Sequence, residues 1–200
     1  MPRLEFTTAT STYPEALIDK FVGNRLLVVA GARSVWDDLA SIAVKPGPQN
    51  SGFDVMCVND IVMHYPGAIR HFYSNDHRWI PNWLNARREL HVRKFGPIKY
   101  VHSCNVGPAH NWPWPGHGSS SLGAVYCGLA MGYEQIILCG VPLDDGGHYF
   151  DPPWVKTNFQ REVGTQPDGQ LMYWQNAKSK YFHDKVRGTS GRTAELLGRP

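Results

Sequence analysis

The chain has 200 residues, a formal charge of +3, 42% hydrophobic residues and 18% charged residues. That length buries one substantial core, and the composition excludes a disordered or fibrous polymer. The charge is small and its Lys and Arg are scattered, so no extended nucleic-acid surface is expected, whereas small anionic ligands fit.

No apolar run approaches the roughly 20 residues that cross a bilayer, and no basic start is joined to an apolar stretch at the amino terminus. We therefore expect a cytoplasmic protein without a membrane span. Cys57, Cys104, Cys127 and Cys139 have no Cys-x-x-Cys spacing, and Cys57 and Cys139 lie inside apolar runs. They read as reduced core residues.

In chain order, a helix is predicted at Pro14 to Phe21, followed by a buried strand at Arg25 to Gly31 (RLLVVAG) and a helix at Val35 to Ile42. Strands follow at Asp54 to Asn59 and Ile69 to Ser74, then a helix at Ile80 to Arg93 and a strand at Ile98 to His102. A helix at Ser121 to Met131, a strand at Gln135 to Gly140, a helix at Leu171 to His183 and a strand at Lys185 to Gly188 complete the pattern. Apolar runs of strand length alternating with helical spacing predict a single α/β, Rossmann-like domain. Its mainly parallel sheet has about six strands, with helices on both faces. Two long connections, 103–118 and 141–169, follow strand carboxyl ends and are rich in Pro, Trp, His and Gly, including Trp112, Trp114 and Trp154. They are expected to be structured lids.

An open α/β sheet binds ligands outside the carboxyl ends of its strands, so the polar residues at those ends are the candidate site. Ser119, Ser120 and Ser121 begin a helix, where hydroxyls and unpaired N–H groups converge on a phosphate; an ordinary N-cap is the competing reading. Asn59 with Asp60, and Asn75 with Asp76, end two further strands with groups suited to a base edge or ribose, and equally to a turn. After the first strand, Gly31 permits a tight turn, Arg33 can meet a phosphate and Ser34 can cap the next helix. Asp144 and Asp145 follow the strand at Gln135 to Gly140, suited to orient a hydroxyl, to hold Mg²⁺ with a nucleotide, or to act as a base.

The nine histidines show neither HExxH nor zinc-finger spacing, so no dedicated metal site is expected. His148 leads as general base because it shares a loop with Asp144, with His117 and His110 behind it. No GxSxG elbow supports a serine nucleophile.

Five segments together, SSSLGAVYCGLAMGYEQIILCGVPL, DVMCVND, RHFYSND, LLVVAGARS and KVRGTSGRTAELLG, resemble the bacterial CMP-sialic-acid-dependent sialyltransferases that modify lipooligosaccharide. They resemble more distantly the archaeal 6-hydroxymethylpterin diphosphokinase family. The resemblance covers most of the chain in separated blocks, and only the 119–144 block is reasonably specific. It implies a Rossmann-like fold in which Asn59, Asn75, Ser120 and Ser121 grip a nucleotide and Ser190 sits in a small polar turn after the last strand. The chain departs from the family's Gly-x-Gly-Pro-Ser loop at Gly31-Ala32-Arg33-Ser34, and from its Gly-x-Asp at Gly140-Val141-Pro142. Where the sialyltransferases carry their base His, it reads Gln170-Leu171-Met172-Tyr173-Trp174.

The expectation is a transferase binding a nucleotide or nucleotide-sugar donor and a small-molecule or glycan acceptor. The alternatives are an ATP-dependent diphosphokinase and a non-catalytic binding protein. No heptad or apolar patch indicates an oligomer.

Overall fold

The computed structural model describes residues 14–104, 109–113, 119–152 and 167–200. Among the described residues seven strands form one sheet: β1 (Arg25–Val29), β2 (Asp54–Val58), β3 (His71–Tyr73), β4 (Tyr100–Ser103), β5 (His110–Asn111), β6 (Gln135–Cys139) and β7 (Val186–Gly188). Every pairing is parallel, and the order is β5-β4-β3-β2-β1-β6-β7. The chain winds outward from β1 to β5, then returns to place β6 against the other side of β1. That reversal makes β1 and β6 the switch point, where connections leave the two strands in opposite directions and open a crevice.

The helices are α1 (Val35–Ser41), α2 (Ile80–Phe95), α3 (Ser120–Ala130), α4 (Pro167–Ala177) and α5 (Gly191–Leu197). β1 shows why they cover both faces. Leu26, Leu27, Val28 and Val29 are all buried, with Leu26 and Val28 in one apolar cluster and Leu27 and Val29 in the other. Successive side chains alternate faces, so a continuous apolar run must be covered twice. The first cluster includes residues of α3, α4 and α5; the second includes residues of α1 and the turn at Asn59–Met63, with α2 residues packed on it. α3 reaches the sheet closely because Gly128 carries no side chain. A Cβ there would lie 2.8 Å from both Ile136 Cδ1 and Leu26 Cδ2. α2 is bolted by its buried Arg87, which donates to the carbonyls of Val62, Tyr65 and Gly67.

Several elements differ from the sequence reading. The sheet has seven strands, because His110–Asn111 pairs with β4 inside the segment expected to be a lid. Two polar residues carry no strand pattern, so the pairing comes from the edge of β4. In place of a helix at Pro14 to Phe21 there is one 3-10 turn, Glu15–Leu17. α4 begins at Pro167, inside the second expected lid, and gives way after Ala177 to a π-type turn, Lys178–Phe182. α5 follows the small polar turn at Ser190 and has no counterpart among the helices read from sequence. His117, Trp114 and Trp154, and much of both expected lids, lie outside the described residues; Trp112 is buried in the core. Among the described residues no helix is long and apolar enough to cross a membrane.

Beneath α3 runs a buried polar chain. Trp112 Nε1 donates to His102 Nδ1 (3.1 Å), His102 Nε2 lies 3.0 Å from His71 Nδ1, and His71 Nε2 lies 2.8 Å from the Tyr133 hydroxyl, which donates to Asp54 Oδ2 (2.7 Å). An indole nitrogen only donates, so His102 carries its proton on Nε2 and gives it to His71, which does the same to Tyr133. Every bond then points toward the Asp54 carboxylate. Both imidazoles are thereby neutral; burial pushes the pKa of His102 down to about 3 and that of His71 well below its ordinary value.

Candidate functional site

At the β1/β6 switch point a cleft is walled by four chain segments: Ala30 to Ala32 after β1, Asn59 and Asp60 after β2, Ser119 and Ser121 at the start of α3, and Gly140 to Asp144 after β6. Gly147, His148 and Gln170 close it. Gly140 is required at its position. Its φ is +71°, and a Cβ would collide with the Ala30 carbonyl, so β1 and β6 emerge side by side only because that atom is missing.

His148 is held in place by backbone. Tyr149 N–H donates to Gly31 O (3.0 Å) and Arg33 N–H to Gly147 O (3.1 Å), forming a short antiparallel bridge of Ala32 with His148. The Asp151 carboxylate accepts from the His148 N–H (2.8 Å) and lies 3.3 Å from His148 Nδ1 through the same oxygen. That backbone N–H foremost, with the nearby imidazole, holds the Asp151 carboxyl below the usual carboxylate range. A proton on Nδ1, directed at Asp151, leaves the Nε2 lone pair to accept one. The ring also stacks on Phe150, 5.2 Å away and 7° from parallel.

Asp60 also stands beside Gly31. A Cβ on Gly31 would lie 3.2 Å from Asp60 Oδ1 and 3.7 Å from His148 Cδ2, so the glycine's bareness lets acid and imidazole approach. Burial raises the Asp60 pKa, and the nearby His148 opposes that rise. Asn59, at φ +58°, accepts from the Ser74 hydroxyl (2.8 Å) through its carbonyl oxygen, which leaves its NH₂ as the donor for a ligand. Ser119 is the N-cap of α3, its oxygen accepting from Leu122 N–H (3.4 Å), while the buried Ser121 lies two residues further in. α3 thus points its positive end into the cleft.

The fold brings seven of the residues picked from sequence around this cleft: Gly31, Asn59, Asp60, Ser119, Ser121, Asp144 and His148. The others lie elsewhere. Asp144 and Asp145 are both exposed, and Asp145 lies outside the cleft walls; Asp144 Oδ1 accepts from Gly146 N–H (2.9 Å). Arg33 turns away and donates to Pro152 O (2.8 Å). Asn75 accepts through its side-chain oxygen from Tyr73 OH (2.8 Å), and its own N–H donates to Ser120 Oγ (3.3 Å), so these two residues bind each other behind the cleft. Asp76 is exposed, with its N–H on Ser74 Oγ (2.9 Å). His110 sits in β5, outside the cleft.

Ser34 and Ser190 share a partner that sequence reasoning passed over. Asp38 is buried in α1, and its Oδ2 accepts from Ser34 Oγ (3.0 Å), Ser190 Oγ (2.9 Å) and Gly140 N–H (2.7 Å). One carboxylate therefore ties together the ends of β1, β6 and β7. Its signal is an acid on the apolar stripe of a helix, three residues after Val35 and next to Leu39. Asp151 and Gln170 were also missed; the only mark of Asp151 is its place three residues after His148.

Among the described residues no three His, Cys, Asp or Glu side chains are grouped to hold a metal ion. Of the loop acids considered for Mg²⁺, only Asp144 lines the cleft.

No protein-family model and no curated protein sequence matches this chain. Among solved structures it is similar to the sialyltransferase CstII from Campylobacter jejuni in complex with cytidine-5′-monophosphate. The TM-score is 0.55 and the identity 14%, over 89% of this chain and 85% of that one. It shares that enzyme's fold. CstII in complex with CMP-3FNeuAc gives a TM-score of 0.53 and 12% identity, over 88% and 86% of the two chains. The likeness covers most of both chains and leaves the chemistry to be argued from this chain's own cleft.

Proposed function

We propose that this chain is a transferase that binds a nucleotide-activated sugar and passes the sugar to a hydroxyl of a small-molecule or glycan acceptor. The observation carrying the reading is that the His148–Asp151 pair and the positive end of α3 face one cleft at the switch point. The structural neighbours that hold CMP or CMP-3FNeuAc support a sugar nucleotide as donor.

In this reading the donor's phosphate lies at Ser119 and Ser121, where N–H groups and the helix dipole stabilise the charge that grows as the sugar–phosphate bond breaks. Asn59 offers its NH₂ to the ribose or base. The acceptor oxygen attacks the anomeric carbon, and its proton passes to His148 Nε2 while Asp151 steadies the imidazolium through Nδ1. Products are the glycosylated acceptor, the free nucleotide and a proton. Asp60, with its raised pKa, is the second titratable group at the reaction centre.

The test is a stability panel of nucleotides and sugar nucleotides, since a ligand of the native state raises the melting temperature, followed by turnover of the donor that binds. The expected result is stabilisation by a sugar nucleotide. Transfer should fall by at least about 100-fold in His148→Ala, with donor affinity kept within about threefold. Stabilisation by ATP with Mg²⁺ alone moves the reading to a diphosphokinase. Tight binding without turnover in the unaltered chain moves it to a binding protein.

A further inference from the structure

The opposite end of the sheet carries a second cavity, of about 570 Å³, between the amino ends of β2 and β3, the 48–53 turn and the end of α2. It shares no lining residue with the switch-point cleft, and its size lies within the roughly 300–1,000 Å³ of small-molecule sites. Its walls combine the rings of Phe53 and Phe95 with the side chains of Arg70 and Lys99.

The charge balance is one-sided. Among the described residues Asp54 is the only acid in the wall, and it is already engaged by Arg70 Nε (3.0 Å) and the Tyr133 hydroxyl (2.7 Å). Lys99 is exposed and makes no ion pair among the described residues. At the rim, the Arg25 guanidinium lies over the Phe53 ring, 4.2 Å from its centre, and Nη2 comes within 3.4 Å of where a Cβ on Gly52 would sit. Three cations therefore face one neutralised carboxylate beside two aromatic rings.

We propose that this cavity is a ligand site for a small dianion attached to a flat ring, of which an aryl phosphate monoester is the simplest member. The phosphate lies between Lys99 and Arg70, with Arg25 at the mouth, and the ring packs against Phe53 and Phe95. A dianion matches the double positive charge that three cations and the Asp54 carboxylate leave together, and the rings bury an apolar body that a bare anion lacks. The site stands independently of the transferase reading.

The experiment is an amide-resolved NMR titration of the full chain with phenyl phosphate, using inorganic phosphate and phenol as comparators. Lys99→Gln and Lys99→Glu serve as variants, since Lys99 is exposed and its replacement leaves the core untouched. Expected are shifts in the amides of residues 50–54 and 95–99, at least about tenfold weaker binding in Lys99→Glu with Lys99→Gln between, and both comparators at least about tenfold weaker than phenyl phosphate. The proposal is overturned by shifts confined to Gly31, Ser121 and His148, by equal affinity in Lys99→Glu, by inorganic phosphate binding as tightly as phenyl phosphate, or by no binding at about 10 mM.

Discussion

Acid should unfold this protein through the polar chain under α3, and His102→Gln tests that. His102 has a folded pKa of about 3 against about 6.5 in an unfolded chain. A depressed folded pKa means that the unfolded state takes up the proton first. The stabilisation is complete above about pH 6.5 and is lost as pH falls toward the folded value. Each pH unit in that window costs about 1.4 kcal/mol per histidine, so about two units remove about 3 kcal/mol through His102 alone. His71 is shifted in the same direction and adds to the loss. Against a total of about 5–15 kcal/mol for a domain, this is a large share. In His102→Gln the new side chain would accept from Trp112 through its carbonyl and donate to His71 through its amide, keeping both bonds while losing the titration. Urea unfolding followed by tryptophan fluorescence, at several values between about pH 7 and pH 4.5, gives the slope for each protein. The wild-type stability should fall more steeply than that of the variant by about 1.4 kcal/mol per pH unit. Parallel lines would refute the assignment of His102 as a buried neutral histidine.

Asp38→Ala removes the shared acceptor of Ser34, Ser190 and the Gly140 N–H. It should cost about 2–4 kcal/mol in chemical unfolding, because the Gly140 N–H is left buried without a partner. Ser190→Ala should cost about 1 kcal/mol or less, since Asp38 keeps two donors. Gly123→Ala places a methyl group against the Tyr73 hydroxyl, which donates to Asn75. It should lower stability by about 1–3 kcal/mol as an overpacked core site, read as a drop in melting temperature.

The alternation of short apolar runs with helical segments in this sequence sufficed to establish a parallel α/β sheet, because β1, β2 and β6 are buried on both faces and so read as unbroken runs of Leu, Ile, Val, Met and Cys. Strand-end position likewise marked Gly31, Asn59, Asp60 and Asp144, since an open sheet exposes only its loop ends to a ligand, while a helix start marked Ser119 and Ser121 and the loop shared with Asp144 marked His148. Tertiary structure alone decided the rest. β5 exists because β4 offers an edge, not because His110 and Asn111 favour a strand. Ser34 and Ser190 look like phosphate-binding hydroxyls in the sequence, yet both bond Asp38, an interaction spanning 152 positions between Ser190 and its acceptor. The pairing of His71 with His102 joins adjacent strands, and the Asp54–Arg70 pair in the wall of the second cavity joins β2 to the residue before β3. Composition and periodicity report how often a residue type recurs along the chain. Which polar atoms meet across the sheet is set by strand order and register, and those depend on how the whole core packs.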